Sequence, residues 1–166
     1  SFSNTFKKKL NVRLGIRLEQ TNTKGHQYVL DSIDKRSYFD IFPNLRLNYK
    51  FKDDNQLTLS YSYRISRPWS GSLNPFMQKS SEYSYSTGNP YLNPQYSNSI
   101  SLSHSWKYML FTNVSYSHTK DDINWIRTPL DTNLGYNPLA LMSSSVNFGS
   151  SHNLNFNISF NKEFFK

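Results

Sequence analysis

Residues 61–96 read YSYRISRPWSGSLNPFMQKSSEYSYSTGNPYLNPQY, a strand that runs into a long loop. In the strand, Tyr61, Tyr63 and Ile65 alternate with serines and Arg64, and a period of two predicts different environments on the two faces. Prolines follow at positions 68, 75, 90 and 94. Because proline has no N–H to donate to a ladder, we expect no regular element between them. The loop is rich in aromatic residues, so we expect it to be ordered.

Composition excludes several classes of function. The 166 residues include no cysteine, which removes disulfides, Cys-ligated zinc and thiol catalysis. The formal net charge is +8, but the basic residues are scattered apart from positions 7–9, so nucleic-acid binding is not expected. Aromatic residues make up 16% of the chain, a usage that favours strands over helices.

Alternation of apolar and polar residues predicts about seven strands. The clearest runs cover residues 10–18, 45–51, 57–65 and 154–160, and none of them places a charged residue on its apolar face. A lipid-facing Arg or Lys at the bilayer midplane would cost about 2–4 kcal/mol, so these faces suit lipid. Three further strands are predicted: residues 97–106 alternate with serine at every odd position, Phe111 blurs the pattern at 110–118, and the pattern at 140–148 is the weakest.

The connections between these strands alternate in length. Short turns are predicted near 52–55, 107–108 and 149–151, and long extracellular loops near 21–40, 67–96 and 120–139. Outer-membrane barrels have this asymmetry. We therefore predict that residues 1–166 form one all-β domain, an antiparallel up-and-down transmembrane β-barrel segment in the bacterial outer membrane. Single-chain bacterial barrels have even strand counts, so we expect a fragment of a larger barrel.

Two other interpretations stay open from the residues alone. A soluble or surface-exposed β-sandwich used for adhesion or ligand binding would also place apolar residues on one face of each strand. A small self-contained outer-membrane barrel of about eight strands is the other alternative. His104 and His118 fall on the presumed lipid face, which weighs slightly against any barrel.

Residues 10–106 resemble the outer membrane β-barrel family found on the carboxyl-terminal side of TonB-dependent receptors. The resemblance rests on an ordered series of motifs: LGIRLE at 14–19, FPN at 42–44, SYSYRISRP at 60–68, LNPF at 73–76, TGNP at 87–90 and LNP at 92–94. It implies the barrel wall of a receptor that takes up a nutrient too large for porins. Implied partners are outer-membrane lipid, the rest of the barrel with its plug domain, an extracellular surface lipoprotein and an energy-coupling periplasmic protein.

Two sets of residues are candidates for contacts in such a receptor. Aromatic side chains of the long loop are candidates for ligand or partner contacts: Trp69, Tyr83, Tyr85 and Tyr91. Arginines on the polar strand faces are candidates for facing the lumen: Arg13, Arg17, Arg46 and Arg64. Packing of the loop aromatics against their own barrel wall is the more conservative expectation for that set.

No catalytic, cofactor or metal site is expected. The four histidines lack metal-ligand spacing, and the Asp pairs at 53–54 and 121–122 lack the glycine and flanking ligands of a calcium loop. The glycines form no phosphate-binding motif. We expect the chain not to be an enzyme.

Overall fold

The computed structural model describes residues 1–27, 32–52 and 54–162. Within these ranges the chain forms strands and two short 3-10 helices, Ser70–Leu73 and Thr132–Leu134. The strands, in chain order, are β1 (Phe2–Phe6), β2 (Leu10–Gln27), β3 (Ser32–Lys50), β4 (Asn55–Ser66), β5 (Gln78–Lys79), β6 (Ser84–Thr87), β7 (Gln95–Trp106), β8 (Leu110–Lys120), β9 (Ile123–Pro129), β10 (Leu141–Asn147) and β11 (Ser150–Phe160). No helix in the described ranges is long and apolar enough to span a bilayer.

Seven strands form one sheet in the order β1-β2-β3-β4-β7-β8-β11. Strands β1 to β4 pair antiparallel with their sequence neighbours, as in Leu14↔Leu45 and Leu47↔Leu59. The predicted antiparallel up-and-down barrel segment is confirmed, and the sheet is open, with β1 and β11 at its two edges. We call these seven the wall strands.

The prediction of a long loop near 21–40 is wrong. Strands β2 and β3 stay paired from Leu10↔Tyr49 to Gln27↔Ser32. No proline interrupts residues 21–40, and polar side chains bond across the two strands, with the Gln20 amide donating to Ser37 Oγ at 3.1 Å. These strands have 18 and 19 residues, well beyond the roughly 9–11 that cross a bilayer. The sequence also suggests that residues 28–30 form a short extension of one of the neighbouring strands, and these residues lie outside those that the structure describes.

The sixth and seventh predicted strands do not pair as expected. Strand β10 lies in a second, four-stranded sheet of order β5-β6-β10-β9, while β11 pairs with β8 in the wall. The seventh wall strand is instead β1, which the alternation did not predict. Its reversal into β2 uses Lys7 and Lys8 at φ 47° and 55°, with Lys9 N–H donating to the Phe6 carbonyl at 3.0 Å. Both central residues of this turn are left-handed, the geometry that suits the twist of a hairpin.

The expectation of no regular element among the four prolines is also wrong. A 3-10 helix, β5 and β6 all lie between Pro68 and Pro90. The reason is spacing: residues 76–89 contain no proline, which leaves room for a short hairpin with pairs Gln78↔Ser86 and Lys79↔Tyr85.

The chain divides into two compact units. The first comprises Ser1–Tyr63, Ser99–Tyr116 and Leu154–Lys166, and the second Arg64–Asn98 and Ser117–Asn153. In the first unit the apolar face of the wall strands is uncovered: Ile16 is 69% exposed, Leu18 60% and Leu154 75%. A sandwich would bury such side chains against a second sheet, whereas a barrel presents them to lipid.

Candidate functional site

The two long connections between wall strands fold together in the second unit. Strand β6, from the connection after β4, pairs in parallel with β10, from the connection after β8. Their register runs from Leu141↔Ser84 to Ser144↔Thr87, and Leu141 N–H donates to the Tyr83 carbonyl at 2.9 Å. We call the sheet formed by β5, β6, β10 and β9 the loop sheet. It makes one folded platform from two stretches that the sequence presented as separate loops.

Gly88 sits where two backbones cross. Its N–H donates to the Asn74 carbonyl at 2.9 Å, and the next N–H, of Asn89, donates to the Ser72 carbonyl at 2.7 Å. A methyl group at Gly88 would collide with the Asn74 carbonyl and would stand 2.7 Å from the Ser72 oxygen. The glycine of the TGNP motif is therefore required by the close approach of Ser72 in the 3-10 helix and of Asn74 in the LNPF motif.

Asparagines of the loop motifs join the two connections. The Asn89 amide donates to the Ser145 carbonyl at 3.1 Å. The Asn93 N–H donates to Asn147 Oδ1 at 2.8 Å, while Asn147 Nδ2 donates to the carbonyls of Asn93 at 2.9 Å and Asp121 at 2.8 Å. Because Asn147 uses both ends of its amide on backbone groups, it acts as a clamp between the two connections.

A small core lies beneath these bonds. Leu92 is 1% exposed, Ala140 0% and Tyr85 8%. The Tyr85 ring packs edge-on against Tyr136, with the ring centroids 5.3 Å apart. The Tyr136 hydroxyl in turn lies 3.7 Å from Met77 Sδ, so both connections contribute to this core.

The four aromatic residues predicted as loop contacts fall into an exposed group of three and one buried residue. Trp69 is 76% exposed, Tyr91 82% and Tyr83 52%, so each is available to a ligand or partner. Tyr85 is buried in the loop-sheet core and is positioned for packing. The Trp69 ring also lies over Gly71, where a Cβ would collide with it.

Trp125 is a further exposed aromatic residue that is not among the predicted loop contacts; it lies in β9 and is 67% exposed. The signal was present, since a tryptophan in a long connection is the same feature that marked Trp69. It was overlooked because residues 120–139 were interpreted as an irregular loop, whereas β9 is the edge strand of the loop sheet.

The polar face of the wall strands in the first unit carries three of the four predicted arginines. Arg13 and Arg46 are register partners on β2 and β3 and line a cavity of about 540 Å³. Arg17 lies elsewhere on β2, with its Nε 3.0 Å from Glu19 Oε1 and its guanidinium 4.9 Å from the centroid of the Phe42 ring. Arg64 belongs to the second unit and is exposed. The structure therefore brings together two of the four.

The histidines on the apolar face have local partners. His104 Nε2 lies 2.8 Å from Asn55 Oδ1, and the His118 ring stacks on His152 with centroids 4.6 Å apart. These contacts lower the cost of polar groups on that face, which was the objection that the two histidines raised against a barrel. In the described ranges no three His, Asp or Glu side chains come together as a metal site.

Comparison with known proteins places the fold. The model of the outer membrane protein beta-barrel family matches residues 1–166. A solved structure of a double mutant of the Serratia marcescens hemophore receptor HasR, in complex with its hemophore HasA and heme, superposes with a TM-score of 0.59 at 15% sequence identity. That match covers 93% of this chain and 30% of the HasR chain. Among proteins of curated function, no sequence matches significantly. The chain belongs to the outer membrane protein β-barrel family and forms part of a barrel wall in the bacterial outer membrane.

Proposed function

We propose that this chain is part of the barrel wall of a TonB-dependent receptor that takes up a nutrient too large for porins. The observation that carries the proposal is the loop sheet, in which two long connections fold into one ordered platform with exposed aromatic side chains. Ordered loops on a rigid scaffold are a common location for binding, because the fold then meets the cost of holding them in place. The chain spans 30% of the HasR receptor it resembles, which agrees with a part of a larger barrel.

The exposed aromatics define the ligand side of the proposal. Trp69, Tyr91 and Trp125 offer large rigid surfaces with few rotatable bonds, as binding surfaces often do. HasR forms a complex with its hemophore HasA and heme, and by analogy an extracellular lipoprotein would dock on the loops of this receptor. The plug domain would face the polar side of the wall strands, and an energy-coupling periplasmic protein would drive release of the cargo. No catalytic step, cofactor or metal is part of the proposal.

The test uses the intact protein in the bacterium that carries it. We expect a clean deletion of the gene to abolish growth on at least one large nutrient supplied as sole source, from a panel of glycans and iron chelates. Complementation should restore growth, and a protonophore should block accumulation of the labelled nutrient. Wild-type growth of the deletion strain on every member of the panel would refute a role in uptake.

A matched set of variants separates binding from assembly. Trp69→Ala combined with Tyr91→Ala and Trp125→Ala should reduce binding of the nutrient identified above while the protein still reaches the outer membrane. Lys24→Gln with Lys35→Gln, which changes exposed residues far from the loop sheet in sequence, serves as the control. Unchanged binding by the aromatic triple variant would show that these side chains are not the contact surface.

A further inference from the structure

Like residues face each other across β2 and β3 on the polar face. Arg13 is the register partner of Arg46, and Asn11 is the partner of Asn48. One step further along the same face, Lys50 N–H donates to the Lys9 carbonyl at 2.8 Å, which places a third like pair side by side. Like charges directly opposite each other destabilise an antiparallel pair. Two such pairs in one short ladder therefore call for a compensating charge.

The cavity of about 540 Å³ at this ladder holds five cationic side chains and no acidic one: Lys8, Lys9, Arg13, Arg46 and Lys50 line it. Across the described ranges, none of these five side chains has a carboxylate within salt-bridge distance, whereas Arg17 forms an ion pair with Glu19. The volume of this cavity lies within the range of about 300–1,000 Å³ that is usual for ligand pockets. The cavity therefore combines the size of a binding site with uncompensated positive charge.

The reversal into β2 adds a second observation. Lys8, which lines the cavity, adopts φ 55°, and Lys7 adopts φ 47°. This geometry is normally given to glycine or asparagine, because a Cβ disfavours it. Lys107 and Tyr108 adopt the same conformation in another reversal, so the geometry belongs to the tight turn, and at Lys8 it sets where the side chain meets the cavity.

Hydrogen bonds fix the neutral part of the ladder. Asn11 Nδ2 donates to Thr5 Oγ1 at 2.9 Å, and Asn48 Nδ2 donates to Thr58 Oγ1 at 3.0 Å. Thr58 is 7% exposed, so the second bond is anchored in a buried position. These hydrogen bonds fix the positions of Asn11 and Asn48, which lie between the two cationic pairs, and they neutralise neither pair.

We propose that this cavity binds an oxyanion with several negative charges, of the polyphosphate or phosphate-ester class. Arginine forms bidentate bonds to phosphate oxygens, and lysine adds compact positive charge, so Arg13 with Arg46 would grip one group while Lys9 with Lys50 neutralises a second. The anion would be a solute, since the cavity lies on the polar face and lipid lies against the apolar face. The inference goes beyond nutrient uptake, because it concerns equilibrium binding at a site that contains no loop-sheet residue.

The test measures binding of inorganic tripolyphosphate to the intact protein in detergent by isothermal titration calorimetry. We expect binding that weakens as salt rises, because the contacts are ionic. Arg13→Gln with Arg46→Gln should weaken it by about tenfold or more, the loss expected for charge-assisted hydrogen bonds. Lys24→Gln with Lys35→Gln is the matched control, since it removes another like-charge register pair of the same hairpin that does not line the cavity.

Thermal unfolding gives a second readout with a distinctive sign. Without anion, the Arg13→Gln with Arg46→Gln variant should melt at a higher temperature than wild type, because repulsion is relieved. With tripolyphosphate, wild type should gain stability and the variant should not.

Three results would overturn the proposal: no binding of tripolyphosphate, equal loss in the two double variants, or binding of a glutamate-rich peptide or anionic lipid nanodiscs in preference to tripolyphosphate. None of these measurements depends on transport, so failure here and failure of nutrient uptake are separately visible.

Discussion

Arg13 and Arg46 lie directly opposite each other on β2 and β3, in a register that also opposes Leu14 to Leu45 on the apolar face. The same strand pair thus matches apolar residues on one face and like charges on the other. Matched leucines help pairing, while matched arginines oppose it. On the polar face, therefore, the residues that lie opposite each other lower the stability of the strand pair, whereas on the apolar face they raise it.

Reversing one charge of the pair should therefore stabilise the protein. Arg13→Glu replaces a like pair by an opposite one, and we expect a gain of about 0.5–2 kcal/mol in unfolding free energy. The measurement is thermal unfolding in detergent at low salt. Lys24→Glu, opposite Lys35 in the same hairpin, is the control and should gain less, because that pair does not line the cavity in which five cationic side chains come together. A lower melting temperature for Arg13→Glu would mean that the arginine pair is already neutralised.

Gly88→Ala should destabilise the loop sheet. The added methyl group meets the carbonyls of Ser72 and Asn74, which belong to hydrogen-bonded backbone and have little freedom to move. Overpacking of this kind costs about 1–3 kcal/mol. Limited proteolysis in detergent should show faster cleavage within residues 67–96. Gly25→Ala is the control, because apart from its two chain neighbours no residue has an atom within 4 Å of the position a Cβ would occupy there. Equal cleavage rates for the two variants would contradict the crossing at Gly88.

Asn147→Ala should loosen the junction between the two connections. The substitution removes the acceptor for Asn93 N–H and two donors to backbone carbonyls, at a net cost of about 1–3 kcal/mol. Hydrogen–deuterium exchange should rise around residues 89–95 and 121–123. Asn137→Ala, which loses one bond to Leu139 N–H inside its own connection, should leave those segments protected. Equal exchange in both variants would show that Asn147 is not the clamp.

The wall was predictable from sequence because the period of two in β2, β3, β4 and β11 is a local property that lipid on one face enforces. Strand β1 escaped prediction because five residues with lysines at the turn give too short a pattern. The β2–β3 extension escaped because residues 21–27 of β2 include no large apolar side chain, and such a strand differs from a loop only through its partner.

The loop sheet was out of reach for a different reason. Its parallel pairing of β6 with β10 joins residues more than fifty positions apart, and neither strand alternates clearly. The asparagines of the motifs, Asn89 and Asn93, could be singled out from the sequence. Nothing in the sequence showed that Ser145 and Asn147 are their partners. The cationic cavity likewise depends on register, since Arg13 and Arg46 become neighbours only when the leucines of the opposite face are aligned.

The exposure of the apolar face predicts the effect of charge there. Ile16→Lys should cost about 2–4 kcal/mol if this position lies near the bilayer midplane, because a lipid-facing ammonium is poorly solvated. Arg17→Lys is the control, because it places a lysine at nearly the same depth on the polar face. There the lysine can still pair with Glu19, so the substitution should cost under about 1 kcal/mol. Refolding into phospholipid vesicles at graded denaturant measures both. Similar costs for the two variants would contradict lipid contact on the Ile16 face.

Tyr85 and Trp69 allow packing and recognition to be separated within the loop sheet. Tyr85 is 8% exposed and packs on Tyr136, so Tyr85→Ala should leave a cavity and destabilise the loop sheet by about 3–5 kcal/mol. Trp69 is 76% exposed, so Trp69→Ala should change protease resistance little while weakening ligand binding. Limited proteolysis and nutrient binding, measured on the same two preparations, should therefore rank the variants in opposite ways. If Trp69→Ala opened the loops as Tyr85→Ala does, the exposed tryptophan would be acting in packing, and the recognition surface would have to be sought around Trp125 and Tyr91.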